Sequence, residues 1–239
     1  MSFPRYGLSY GYLCETSTAP KLLRKVMFMK HLNRYEMLFR EFVSKEMNTD
    51  PAHDISHIIR VVQTSKRLCL QEKADSEVVI PAAYLHDCYT LPKNHLDRRK
   101  SSQIAADMAI TFLEKIAYPQ KYLSSIHHAI VAHSFSADIV PTTLEAKIVR
   151  DADRLDALGA IGIARCIQVG MTFNSQLYSE IDPFCVDRVP DDKMYIVDHF
   201  YTKLFRLPET MLTTAGKNEA SKRVSYMSGY LAQLNSEIK

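Results

Sequence analysis

The chain has 239 residues, 46% of them hydrophobic and 24% charged, enough for one sizeable core and ordinary for a globular protein. A formal charge of +3 is too small to indicate nucleic acid. Only 7 glycines occur where about 17 would be usual, which disfavours a turn-rich β architecture.

No apolar run approaches the roughly 18 residues of a membrane span, so no membrane partner is expected. Lys21, Arg24, Lys25 and Lys30 break up the one hydrophobic stretch near the N-terminus, against a signal peptide. The five cysteines, at 14, 69, 88, 166 and 185, show no Cys-x-x-Cys spacing and read as reduced thiols. The cytoplasm is the expected location.

Residues 1–28 lack periodicity and read as a loose tail; residues 29–239 read as one all-α domain. From about Lys30 to Met47, Leu32, Tyr35, Leu38, Phe39, Phe42 and Val43 recur at helical spacing. Asp50-Pro51 has the form of an N-cap with proline at the first helical position. The helix it opens runs to about Glu72, with Ile58, Val61, Val62, Ser65 and Leu68 as its buried stripe. Asp75-Ser76 caps a third helix, which carries Val78, Val79, Ala82 and Leu85 and tolerates Pro81 early in its length.

Helical patterns continue at about 98–116 and 120–134. The short basic run Arg98-Arg99-Lys100 reads as a solvated helix start unless it faces a site. Thr142-x-x-Glu145 has the form of a capping box opening a helix with Leu144, Ile148, Ala152 and Leu155 on one face. Another helix follows at about 157–170. Residues 171–192 lack periodicity and include Pro183 and Pro190, the form of a binding loop or lid. Helix returns with Val197, Phe200, Leu204 and Leu207, and again with Val224, Met227, Leu231 and Leu234.

Three segments carry chemistry: His53-Asp54-Ile55-Ser56-His57, Leu85-His86-Asp87 and Arg150-Asp151-Ala152-Asp153. Each is weak alone, since a lone helical histidine is more often structural than a ligand. Together they offer imidazoles and carboxylates on polar faces that interrupt apolar stripes. Burying Asp87 and Asp153 without a cation or hydrogen-bond partners would be costly, and a shared metal removes that cost. Cys88 beside the His-Asp pair reads as a small buried side chain rather than a nucleophile.

The order His, His-Asp, Asp resembles the HD-domain superfamily of metal-dependent phosphohydrolases. Ala-His-Asp-x-x-His-x-x-Arg-Val at 52–61, Leu-His-Asp at 85–87 and Glu-Ala-Lys-Ile-Val-Arg-Asp-Ala-Asp-Arg-Leu-Asp at 145–156 carry the resemblance. Lys93-Asn94-His95, Ser101-Ser102, His128 to Phe135 and Asp182-Pro183-Phe184 are similar to a stand-alone bacterial branch typified by YedJ and YpgQ. The resemblance spans roughly residues 30–237 and implies a single-domain helical bundle.

Carried over residue by residue, it implies His57, His86, Asp87 and Asp153 as ligands of one divalent metal. Mixed imidazole and carboxylate donors suit Mn, Fe, Co, Ni or Zn better than Mg. Asp87, His128 and His133 are then candidates for catalysis, although five residues set the two histidines about 140° apart on a helix. His53, Lys93, His95 and Lys147 are candidates to meet phosphates, and Asp54, Arg60 and Asp156 to orient the ligands.

The implied substrate is a nucleotide, a (deoxy)nucleoside triphosphate cut to the monophosphate and pyrophosphate. Phosphomonoesterase or cyclic-nucleotide phosphodiesterase activity is the alternative, and a non-catalytic metal- or nucleotide-sensing module, or a homodimer, is left open. His53 and His57 also resemble a His-Glu-x-x-His metalloprotease helix with Asp for Glu, a reading that leaves the other motifs unused.

Overall fold

Periodic apolar positions become helices, and among the described residues nothing else regular forms beyond short 3₁₀ turns and one isolated bridge between Gln176 and Tyr195. The structure, a computed structural model, describes residues 21–46, 55–91, 95–134 and 136–238, with side chains from Arg34 onward. The helices are α1 (Lys21–Glu46), α2 (Ile55–Glu72), α3 (Ser76–Leu85), α4 (Ser101–Lys115), α5 (Leu123–His133), α6 (Leu144–Leu155), α7 (Gly159–Thr172), α8 (Asp198–Thr202) and α9 (Thr214–Glu237). The first helix therefore starts at Lys21, ahead of the expected Lys30. The chain divides into two compact units, one ending at Met37 and the other spanning Leu38–Lys239. The Asp50-Pro51 cap lies outside the described residues.

Within Leu38–Lys239, α2, α3, α5 and α6 pack on one another, α4 covers α5, and α9 lies against α2, α6 and α7. Small side chains let these helices approach closely: Ala82, Ala83, Ala105, Ala106, Ala109, Ala129, Ala132, Ala146 and Ala152 are all fully buried. The expected α2 stripe is buried throughout, Ser65 included. Phe39 packs with Tyr84 and Tyr118 at ring-centroid distances of 5.7 and 6.0 Å, and Phe42 stacks on Phe112 at 4.0 Å.

Local chemistry corrects two boundaries. The N-cap of α6 is Thr143, whose hydroxyl accepts from the Ala146 N–H at 3.2 Å, so Thr142 does not form the capping box. Glu145 reaches instead to the Asp75 N–H at 3.1 Å, joining the starts of α3 and α6. The stripe Val197, Phe200, Leu204, Leu207 is not one helix: α8 is five residues long and a 3₁₀ segment with Pro208 follows. The proline ring and missing N–H disfavour an α-helical continuation.

Between α7 and α8, residues 173–197 are organised by hydrogen bonds rather than by helix. The Ile196 N–H donates to the Gln176 carbonyl, and the Gln176 N–H to the Met194 carbonyl, each at 2.9 Å. The Asp182 carboxylate accepts from the N–H groups of Val186, Asp187 and Arg188 at 3.0, 2.9 and 3.1 Å. Arg188 then forks onto the buried Asp198 at 2.5 and 2.7 Å. Such a bidentate pair holds the loop to the start of α8. Gly170 lets the loop close on α7, since a side chain there would run into Ile196.

Asp151 ties α6 to the start of α9. Its buried carboxylate accepts from the N–H groups of Leu212 and Thr213 at 2.9 and 2.8 Å and from the Thr213 hydroxyl at 2.7 Å. Thr213 in turn caps α9 through the Gly216 N–H at 3.0 Å. Asp151→Ala leaves these buried donors unmet and should cost about 2–4 kcal/mol in urea unfolding, against under about 1 kcal/mol for Lys217→Ala on the exposed face of α9.

Candidate metal centre

Four helix segments converge on one point. α2 supplies His57 and Arg60, three residues apart and so on one face. α3 ends at Leu85, so His86 and Asp87 leave its C-terminus side by side. α5 ends with His133, and α6 supplies Asp153 and Asp156. Gly159, at φ +75°, makes the turn that sends α7 back so that Arg165 meets Asp156.

All three imidazoles are held by the protein at Nδ1. His86 Nδ1 donates to the Ala83 carbonyl at 2.9 Å and His133 Nδ1 to that of Ile130 at 2.5 Å. His57 Nδ1 meets Asp156 Oδ2 at 2.7 Å. Asp156 is itself gripped by Arg60, at 2.7 and 3.0 Å, and by Arg165. Each ring therefore presents Nε2 to the same space, as metal-ligating histidines do.

His57 Nε2 lies 3.4 Å from Asp153 Oδ1, and His86 Nε2 lies 3.9 Å from the same oxygen and 3.8 Å from Asp87 Oδ2. Donor atoms of His57, His86 and Asp87 all fall within 4.8 Å of one another. Donors about 2.1 Å from a common ion stand roughly 3–4 Å apart, which the 3.4, 3.8 and 3.9 Å spacings match. His86 is fully buried, and its Nε2 has no hydrogen-bond partner among the described residues. A buried acceptor left over between carboxylates is what a cation would satisfy, so these residues fit a divalent metal.

Electrostatics separate the histidines. Burial pushes His86 down to about 4, only partly opposed by Asp87, so it is a neutral donor at pH 7. Burial would lower His57 as well, but Asp153 and Asp156 outweigh it and raise it to about 9. Burial is likewise outweighed at Asp156, where His57 and Arg60 hold the carboxyl at about 2. Burial pushes the Cys88 thiol up to about 12, and its Sγ donates to the Ala105 carbonyl at 3.4 Å, so it is no nucleophile.

Beside the cluster opens a cavity of about 1000 Å³, lined on one side by Asp87, His133 and Asp153. Volumes of this order hold small-molecule ligands. His133 belongs to the cluster: its Nε2 lies 3.4 Å from Asp87 Oδ1, and its ring centroid 4.9 Å from that of His86.

His128 does not join it. Its Nε2 accepts from the Thr142 N–H at 3.0 Å, on the turn of α5 that faces the α5–α6 connection. His95 is exposed and its Nδ1 accepts from the Asp97 N–H at 3.0 Å, while Lys147 is not part of the cavity lining. His53, Asp54 and Lys93 lie outside the described residues. The cations at the cavity are instead Arg98, Arg165, Lys193 and Lys203. Arg98 leaves the basic run to face inward, whereas Lys100 pairs with Asp97 at 2.7 Å in solvent.

Arg165 carries no signal in the sequence, because its partner Asp156 lies one α6–α7 turn away. His199, whose Nδ1 meets Asp192 Oδ2 at 2.8 Å, also lines the cavity and belongs to no motif recognised in the sequence.

Comparison with known proteins identifies the family of this fold. A family model described as HD domain matches residues 54–158, which include His57, His86, Asp87 and Asp153. The YpgQ protein of Bacillus subtilis is 28% identical over 214 residues, covering 88% of this chain and 96% of that protein. Its crystal structure in complex with ADP matches with a TM-score of 0.65 and 30% identity, over 84% of this chain and 93% of that one. An HD-superfamily hydrolase from Bacillus thuringiensis matches with a TM-score of 0.67 and 30% identity, over 86% of this chain and 97% of that one. The family-model match, relatives 30% identical over most of their length and a converged His/Asp cluster lead to one assignment: the chain belongs to the HD-domain superfamily of metal-dependent phosphohydrolases.

Proposed function

We propose that His57, His86, Asp87 and Asp153 hold one divalent ion and that the enzyme cuts a (deoxy)nucleoside triphosphate to the monophosphate and pyrophosphate. The observation that carries the metal assignment is the unpartnered His86 Nε2, buried between two carboxylates at 3.8 and 3.9 Å. The nucleotide reading is supported by the roomy cavity beside the cluster and by the ADP held by the B. subtilis relative. The mixed donors favour Mn, Fe, Co, Ni or Zn over Mg. A metal bound there supplies Lewis-acid polarisation of a phosphoryl oxygen and acidifies water.

The chain's own residues do the rest. Asp156, clamped by Arg60 and Arg165, fixes the tautomer and direction of His57. Asp87 takes a proton from the attacking water, and His133, 3.4 Å away and locked at Nδ1 by Ile130, stabilises or passes on that charge. The four described cysteines are unpaired, in keeping with a reducing compartment such as the cytoplasm. Among the described residues no single helix is long and apolar enough to cross a membrane.

His86→Ala and Asp87→Ala should each lower metal-dependent hydrolysis of dGTP by about a thousandfold or more while leaving the far-UV helical spectrum unchanged. Full activity in either variant would remove the mechanism, and release of orthophosphate rather than pyrophosphate would select the phosphomonoesterase alternative. His133→Ala should cost about 10- to 100-fold in kcat with metal content unchanged, whereas His128→Ala should act mainly on stability.

Metal uptake should release protons. Without the ion, His57 keeps its proton below about 9, and coordination requires that proton to leave. Higher pH therefore favours binding, and Mn²⁺ affinity should rise about tenfold per pH unit from 7 until about 9. Calorimetry in two buffers of different ionisation enthalpy checks this, with about one proton released per ion as the expected result.

A further inference from the structure

The cavity is polar in an uneven way. Its metal-side wall carries Asp87 and Asp153, from α3 and α6. Another part of the lining, from the end of the 173–197 loop, α8 and the Lys203 that follows it, carries Lys193, His199 and Lys203 together with Asp192. Neither lysine enters an ion pair among the described residues, nor does its ammonium have a hydrogen bond there.

The nearby carboxylate does not neutralise them. Asp192 Oδ2 is taken by His199 Nδ1 at 2.8 Å and by the Thr202 hydroxyl at 2.8 Å. That dyad fixes the His199 ring and leaves Nε2 as its unengaged nitrogen. This part of the lining is also held in place: Ile196 is packed against Gly170, the Gln176 carbonyl accepts its N–H at 2.9 Å, and Arg188 anchors Asp198.

Both lysines are solvent-exposed, but they line one cavity with a carboxylate-rich cluster, and a fixed imidazole stands between them in sequence. We propose that Lys193, His199 and Lys203 form a second anion site, which receives the phosphates of the substrate that are not at the metal cluster. The site selects di- and triphosphates over monophosphates through charge that a monophosphate cannot reach from the metal. Arg98, also in the lining but tied to the Leu91 carbonyl at 2.7 Å, is not required for it. The inference rests on the metal-dependent nucleotide reading above only for which end of the substrate lies at the metal.

Calorimetric titration of the Mn²⁺-loaded full chain with α,β-methylene-ATP and with AMP tests this without turnover. The wild type should prefer the triphosphate analogue by about tenfold or more, and Lys193→Met/Lys203→Met should close that gap to within about threefold by weakening the analogue alone. Lys203→Arg, which keeps the charge, should retain most of the preference. In steady-state hydrolysis of dGTP, the double variant should raise KM by about tenfold and move kcat far less, a split that a merely structural role would not produce.

A double variant that binds the analogue as tightly as wild type, or a wild type with no preference, overturns the second site. Preferential binding without hydrolysis of any nucleotide supports the site and refutes the hydrolytic reading. Hydrolysis by a wild type whose lysine variants bind normally refutes only the site.

Discussion

The Asp156 carboxylate is the joint on which the metal centre depends. It is almost fully buried, yet it stays ionised because three groups from two other helices converge on it: His57 and Arg60 from α2 and Arg165 from α7. Burial alone would favour its neutral form; the surrounding cations and hydrogen bonds reverse that preference. Through this one side chain the register of α2 against α6 becomes the direction of the His57 ring. An ion-pair network of this kind adds little net stability, since desolvation offsets most of the attraction. Its effect is to leave His57 a single orientation.

The same logic runs through the rest of the centre. Each imidazole has its Nδ1 occupied by a carbonyl or a carboxylate, so Nε2 is the nitrogen left for chemistry at all three positions. The helix ends matter here. His86, Asp87 and His133 sit at or just past the last turns of α3 and α5. Local backbone carbonyls at such ends are free to accept from a ring N–H, because no following turn uses them. Alanines in the interfaces between α3, α4, α5 and α6 bring those ends close enough to share a site. Packing of small residues and polar preorganisation are thus one construction.

The 173–197 loop plays a second part. It has no helix, yet Asp182, Arg188 and Asp198 give it an internal polar frame, and Gly170 lets it seat against α7. The cavity lining consequently joins Asp87, His133 and Asp153 of the helical core to Lys193, His199 and Lys203 at the end of the loop and around α8.

Much of this was legible from composition and spacing alone. Helical class follows from periodicity, which is local, and α2, α3 and α6 lie where their apolar stripes predict. Motif order and the family resemblance also pointed to His57, His86, Asp87 and Asp153, because a buried carboxylate among apolar residues calls for a cation. What the linear pattern could not separate is the work of three aspartates on α6. Asp151 serves the start of α9, Asp153 faces the cluster, and Asp156 clamps His57. Nor could it choose between His128 and His133, or find Arg165 and His199. Those distinctions are set by how far each helix turns about its own axis against its neighbours, and by loops that bring residues about a hundred positions apart into hydrogen-bonding distance. Only the packed structure contains that information, because contact between distant segments depends on every turn between them.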